Sequence, residues 1–147
     1  MDIDACITHN LSAHVALRAP RVAFLWLCLT LVFGAHGASL TWDADTNTAG
    51  AQDGSGTWTT GAGGWWDGSA NVNWTTSDVA TFGAGVDGNY NITVGGTITC
   101  GTPLTFNNSG YALSAASAKV ITFGGTVTVA AGKIATIGNN VELSRSA

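Results

Sequence analysis

The sequence predicts an all-β protein: a signal peptide, then a tryptophan-rich N-terminal β cap, then the start of a right-handed parallel β-solenoid. Three observations carry this. Only 10% of the 147 residues are charged, while 20 are glycine and 2 are proline. That composition fits short strands and frequent turns; disorder needs more charge and fewer apolar groups. Five tryptophans lie between Trp42 and Trp74 and none after. Brief β-branched runs recur at nearly constant spacing from Asn91 to Leu143.

The leader comes first. Arg18 and Arg21 precede the apolar run Val22 to Phe33, "VAFLWLCLTLVF", and small residues follow in "GAHGAS". A basic flank, an apolar core and small residues at the cut are the parts of a secretory signal. The run is shorter than the roughly 20 apolar residues of a spanning helix. Residues 1–37 are therefore expected to leave, with cleavage between Gly37 and Ala38; the alternative is an uncleaved anchor. No small residues precede Cys28 as a lipid-anchor site would require. Membrane contact is expected only through this segment.

Residues 38–90 form the expected cap. Strands are expected at Leu40–Trp42, Thr57–Thr59 and Val79–Phe82, separated by turn residues such as Asp67-Gly68, where glycine tolerates positive φ. Trp58 and Trp74 are placed inward. Trp65 and Trp66 are adjacent, so a strand would send one to each face.

Residues 91–147 form the expected rungs. The strands read there are Ile92–Val94, Thr97–Cys100, Leu104–Phe106, Tyr111–Leu113, Val120–Phe123, Thr126–Val129, Ile134–Ile137 and Val141–Leu143. One inward residue per strand (Ile92, Ile98, Leu104, Tyr111, Val120, Val127, Ile134, Val141) gives steps of 6, 6, 7, 9, 7, 7 and 7. A sandwich has turn signals every 8–12 residues or so. Three short strands per rung of about 20 residues suit a solenoid better. Phe106 and Phe123 are expected on neighbouring rungs. About two and a half rungs fit, so the expectation is the front of a longer, truncated solenoid.

The stretch "LTWDADTN…GTWTTGAGGWWDGSANVNWTTSDVATFGAG", followed by "NITVGGTITCGTPLTFNNSGYALSA", resembles the N-terminus of bacterial proteins with autotransporter-associated β-strand repeats. The likeness runs from Leu40 to about Val129. It implies a secreted or surface-displayed β-helical passenger. Long repeat arrays and a C-terminal membrane barrel belong to that family's full proteins and are not in this sequence.

Chemistry is sparse. Past the leader remain Asp43, Asp45, Asp53, Asp67, Asp78, Asp87 and Glu142 against Lys119, Lys133 and Arg145. Net charge is −4, which argues against nucleic acid. All histidines (His9, His14, His36) lie in the leader, which excludes Ser-His-Asp and Cys-His catalysis in the mature chain. Cys100 has no partner cysteine there and alternates with Ile98, as a core filler would. "GAGVDG" (Gly83–Gly88) spells a dinucleotide fingerprint but leads into a strand, whereas that site needs a helix. "DADTN" places Asp43, Asp45 and Asn47 like the first ligands of a calcium loop, but Thr48 and Gly54 replace its glycine and glutamate. No catalytic residue, cofactor or metal is expected, and the sequons at Asn73, Asn91 and Asn107 read as incidental. The predicted role is a non-catalytic, structural or adhesive protein, secreted or at the cell surface. The rival is a carbohydrate-binding module contacting extracellular glycan through Trp65 or Trp66.

Overall fold

The computed structural model describes residues 37–146. The expected leader lies outside the described residues except for Gly37. The described residues lie in one compact unit.

Among the described residues there is no helix, and "ALSAASAK", the one stretch with helical composition, opens in a strand. The strands are β1 (Ser39–Trp42), β2 (Gly56–Trp58), β3 (Trp65–Trp66), β4 (Asn71–Val72), β5 (Val79–Phe82), β6 (Tyr90–Val94) and β7 (Ile98–Cys100). Then follow β8 (Leu104–Phe106), β9 (Tyr111–Ser114), β10 (Lys119–Phe123), β11 (Val127–Val129), β12 (Ala135–Ile137) and β13 (Val141–Arg145). Each strand expected from the sequence is present, with ends moved by at most two residues. β3 and β4 were not expected: two residues are too few to show a period of two.

Three open sheets result. The first has the order β4-β3-β1-β5-β8-β11, the second β2-β6-β9-β12 and the third β7-β10-β13. β3 pairs antiparallel with β1 and β4. All other pairings are parallel. From β5 onward the chain visits the first, second and third sheets in turn, then begins again. Thr81 thus meets Thr105, which meets Thr128, and Ile98 meets Ile121, which meets Leu143. Inward residues from all three sheets meet in one buried cluster.

Parallel register places like on like. The Phe82 and Phe106 rings stack at 5.3 Å and 12°, and Ile92 sits beside Leu113. The middle position of each sheet carries hydroxyls outward: Thr41, Thr81, Thr105 and Thr128 in the first, Thr57, Thr93 and Ser114 in the second, Thr99, Thr122 and Ser144 in the third.

Three expectations are corrected. Val120 does not point inward; Ile121 does, fully buried, while Val120 pairs with Glu142. Ile134 is 71% exposed, and its inward place is taken by Ala135 and Ile137, paired with Tyr111 and Leu113. Both are one-residue slips, which exchange the faces of a strand. In β12 the preceding turn takes up Ile134, and in β10 the parallel register with β7 turns Ile121 rather than Val120 inward beside Ile98. Phe106 and Phe123 are not neighbours either. Phe106 pairs with Phe82 and Val129 in the first sheet, and Phe123 with Cys100 and Arg145 in the third.

The two ends of the sheets differ. At the N-terminal end, Trp42, Trp58, Trp65 and Trp74 are at most 2% exposed. Trp65 and Trp74 centre 4.6 Å apart, Trp58 and Trp74 5.0 Å, and Phe82 lies under Trp58 and Trp65. Trp58 and Trp74 are inward, as expected. At the other end Val127, Val129 and Ile137 occupy inward positions, yet stay 38%, 42% and 38% exposed, because no described strand lies beyond them.

Carboxylates secure the turns. Asp43 Oδ1 accepts from the backbone of Asp45 and Gln52. Asp78 accepts from the Ala38 and Thr75 amides and from the Thr75 hydroxyl. Asp53 holds the Gly83–Gly88 turn by accepting from the Ala84 and Val86 amides at 2.8 Å each. Gly110, at φ 95°, adopts a left-handed conformation that disfavours L side chains, and a Cβ there would collide with the Gly88 carbonyl.

Candidate functional site

The sequence singles out Trp65 and Trp66, and the fold separates them. β3 pairs Trp66 with Thr41 and Trp65 with Trp42. Trp65 is fully buried in the aromatic cap, so it offers no surface to a ligand. Trp66 is half-buried on the outward face. Direct partners in neighbouring strands share a face, so Trp66 stands beside Thr41 on one side and Asn71 on the other.

The row does not stop there. Thr41 pairs with Thr81, Thr81 with Thr105 and Thr105 with Thr128. Asn71, Trp66, Thr41, Thr81, Thr105 and Thr128 therefore run straight across all six strands of the first sheet. At the usual strand separation the row is about 24 Å long. Thr41, Thr81, Thr105, Trp66 and Asn71 are half-buried and Thr128 is exposed.

The row holds no ionisable group. Other threonine hydroxyls are committed to carboxylates, Thr48 to Asp45 and Thr75 to Asp78; these four lie on a face without one. Asn71 donates from Nδ2 to the Thr46 carbonyl, and its Oδ1 has no partner. Asp67 closes the β3–β4 turn by accepting from Ala70 and Ser69, which holds its carboxyl below the usual value. The charge nearest to the row in sequence is thus negative.

The other candidates do not assemble into a centre. Asp45 accepts from Asn47 and Thr48, so its oxygens already serve its own turn. Among the described residues no three His, Cys, Asp or Glu side chains gather where a metal ion would sit. Cys100 is buried, and burial pushes its thiol up to about 11. Tyr111 is fully buried; burial first, then the bond to Asp53, raises its phenol far above the usual value. Gly37 and Ala38, the expected cleavage point, border β1. Ala38 is exposed, its amide donates to Asp78 at 2.9 Å and its carbonyl accepts from Val79 at 2.8 Å.

The threonine row was not identified from the sequence, although a signal for it is present. Thr41, Thr81, Thr105 and Thr128 are the centres of "LTW", "ATF", "LTF" and "VTV", each a polar residue between two apolar ones. Asn71 has no such signal, because only the β3–β4 pairing brings it to Trp66.

No protein-family model, curated protein or solved structure matches the chain.

Proposed function

We infer that this chain is the capped front of a right-handed parallel β-solenoid, exported by its leader, with a structural or adhesive role at or outside the cell surface. The observation that carries the reading is the strand order. Every third strand returns to the same sheet from β5 to β13, and paired residues there are 21 to 24 apart, a length typical of solenoid rungs. The aromatic cap supports it. The first rung of such a stack has no neighbour above it, and its open end invites edge pairing. The β3–β4 hairpin covers that edge, and the tryptophans cover the interior.

The mechanism is rigid display. Backbone pairing fixes outward side chains at constant spacing, so a partner meets a preformed surface and little ordering is lost on binding. The role needs no catalytic residue and no cofactor, and the likeness to autotransporter-associated repeat proteins fits it.

Expression of the whole chain in a bacterial host tests the reading. The expected result is protein in the surface or extracellular fraction, with a new N-terminus at or near Ala38. Intact protein retained in the cytoplasm would refute export. For the solenoid, cysteines placed at Thr105 and Thr128 are expected to cross-link readily, whereas a pair at Thr105 and Thr122, on different sheets, is not.

A further inference from the structure

We propose that the outward face of the first sheet is a binding track for a neutral, linear, β-linked polysaccharide, with Trp66 as its stacking platform and Thr41, Thr81, Thr105 and Thr128 as its hydrogen-bonding rail. The inference goes beyond display. It needs only the order and register of the first sheet, so it stands or falls apart from export.

Three features combine on this face. Trp66 presents an indole that the fold leaves partly exposed, while its neighbour Trp65 is fully buried. A partly exposed aromatic ring suits the apolar face of a sugar ring. Hydroxyls then continue from that indole in a straight line, one per strand, through the registers Thr41–Thr81, Thr81–Thr105 and Thr105–Thr128. Strands are spaced by about 4.8 Å, close to the length of one pyranose unit in an extended chain. Beyond the indole the row ends at Asn71, whose amide donates to the Thr46 carbonyl and so lies against the turn rather than the track.

The chemistry selects the ligand. A straight row fits a flat, extended chain and not a coiled α-linked one. The row carries no cation, and Asp67 lies one residue from Trp66, so an anionic polysaccharide would be repelled. Threonine is both donor and acceptor, as a sugar hydroxyl is, so each rung can take either partner. The third sheet supplies an internal control. Thr99, Thr122 and Ser144 make the same kind of ladder there, but the row contains no aromatic residue.

The test is calorimetric titration of the purified protein with cellohexaose, cellobiose and maltohexaose. Cellohexaose is expected to bind, cellobiose to bind about tenfold more weakly or not at all, and maltohexaose not to bind. Trp66→Ala is expected to abolish the heat. Thr105→Val keeps shape and strand preference while removing one hydroxyl, and is expected to weaken cellohexaose by about three- to tenfold. Thr122→Val, in the third sheet, is expected to change nothing. The proposal is overturned if cellohexaose gives no heat at millimolar concentration, if Thr105→Val binds as the wild type does, if Thr122→Val weakens binding equally, or if maltohexaose binds as well. Should Trp66→Ala fail to fold, the two threonine variants decide the matter.

Discussion

The Tyr111 hydroxyl donates to Asp53 Oδ1 at 2.6 Å, a bond that spans 58 residues. It ties β9 to the segment before β2, two strands away in the second sheet. Asp53 also accepts from Ala84 and Val86, so one carboxylate joins the segment before β2, the turn after β5 and strand β9. Asp53→Ala leaves two amides and a phenol without their acceptor and is expected to cost about 2–4 kcal/mol. Tyr111→Phe removes one bond and keeps the ring, so about 1–2 kcal/mol is expected. Urea denaturation of the two variants measures both, and an equal cost would mean that the two amides contribute nothing.

The tryptophan pair predicts a split in stability. Trp65→Ala opens a cavity in the cap and is expected to cost about 3–5 kcal/mol. Trp66→Ala removes a partly exposed ring and is expected to cost about 1 kcal/mol. Denaturant midpoints for the two variants check the order. Equal losses would show that Trp66 also belongs to the packed cap.

A gradient is expected along the first sheet. Phe106 is 1% exposed and its register partner Val129 is 42% exposed. Phe106→Ala is expected to cost about 3–5 kcal/mol. Val129→Ala is expected to cost less than about 1 kcal/mol, because little of its surface leaves water. Thermal unfolding of each variant distinguishes them.

The Lys133–Asp87 pair, 2.8 Å apart, predicts an acid-side response. The Lys133 hydrogen bond, then those from Ser109 and Asn108, lower the Asp87 carboxyl from 3.8 to about 2. A depressed folded-state value means that the charged form favours folding. Its contribution is full above about pH 4 and is lost as pH falls towards 2. Asp45 and Asp67 are also lowered and act in the same direction, so the informative quantity is the difference between wild type and Asp87→Asn. That difference is expected to shrink between pH 4 and pH 2 in equilibrium unfolding; a constant difference would refute the linkage.

Cys100 predicts a chemical outcome. It is 3% exposed, and its thiol is raised to about 11. Nucleophilic attack needs the thiolate. A thiol reagent at pH 8 is expected to leave Cys100 unmodified in the folded protein and to label it in denaturant, read by mass spectrometry after digestion.

Much of the fold was legible in the sequence. "VATF" and "LTF" alternate cleanly, and their strands match Val79–Phe82 and Leu104–Phe106 residue for residue. Trp65 and Trp66 were expected to face opposite ways, and they do. Register was less legible. Val120 and Ile121 are both apolar, as are Ile134 and Ala135, so hydrophobicity alone does not say which of two neighbours turns inward. Pairing with Ile98 and Tyr111 decides it. β3 and β4 exist only because β1 offers an edge to pair with.

The sequence by itself determined a turn-rich all-β chain with an aromatic front, because period-two alternation and glycine placement are local properties of neighbouring residues. Only the tertiary structure decided that Thr41, Thr81, Thr105 and Thr128 share one line with Trp66 and Asn71. Residues up to 40 positions apart become neighbours through strand register, and register is set by the packing of the buried faces of all three sheets at once.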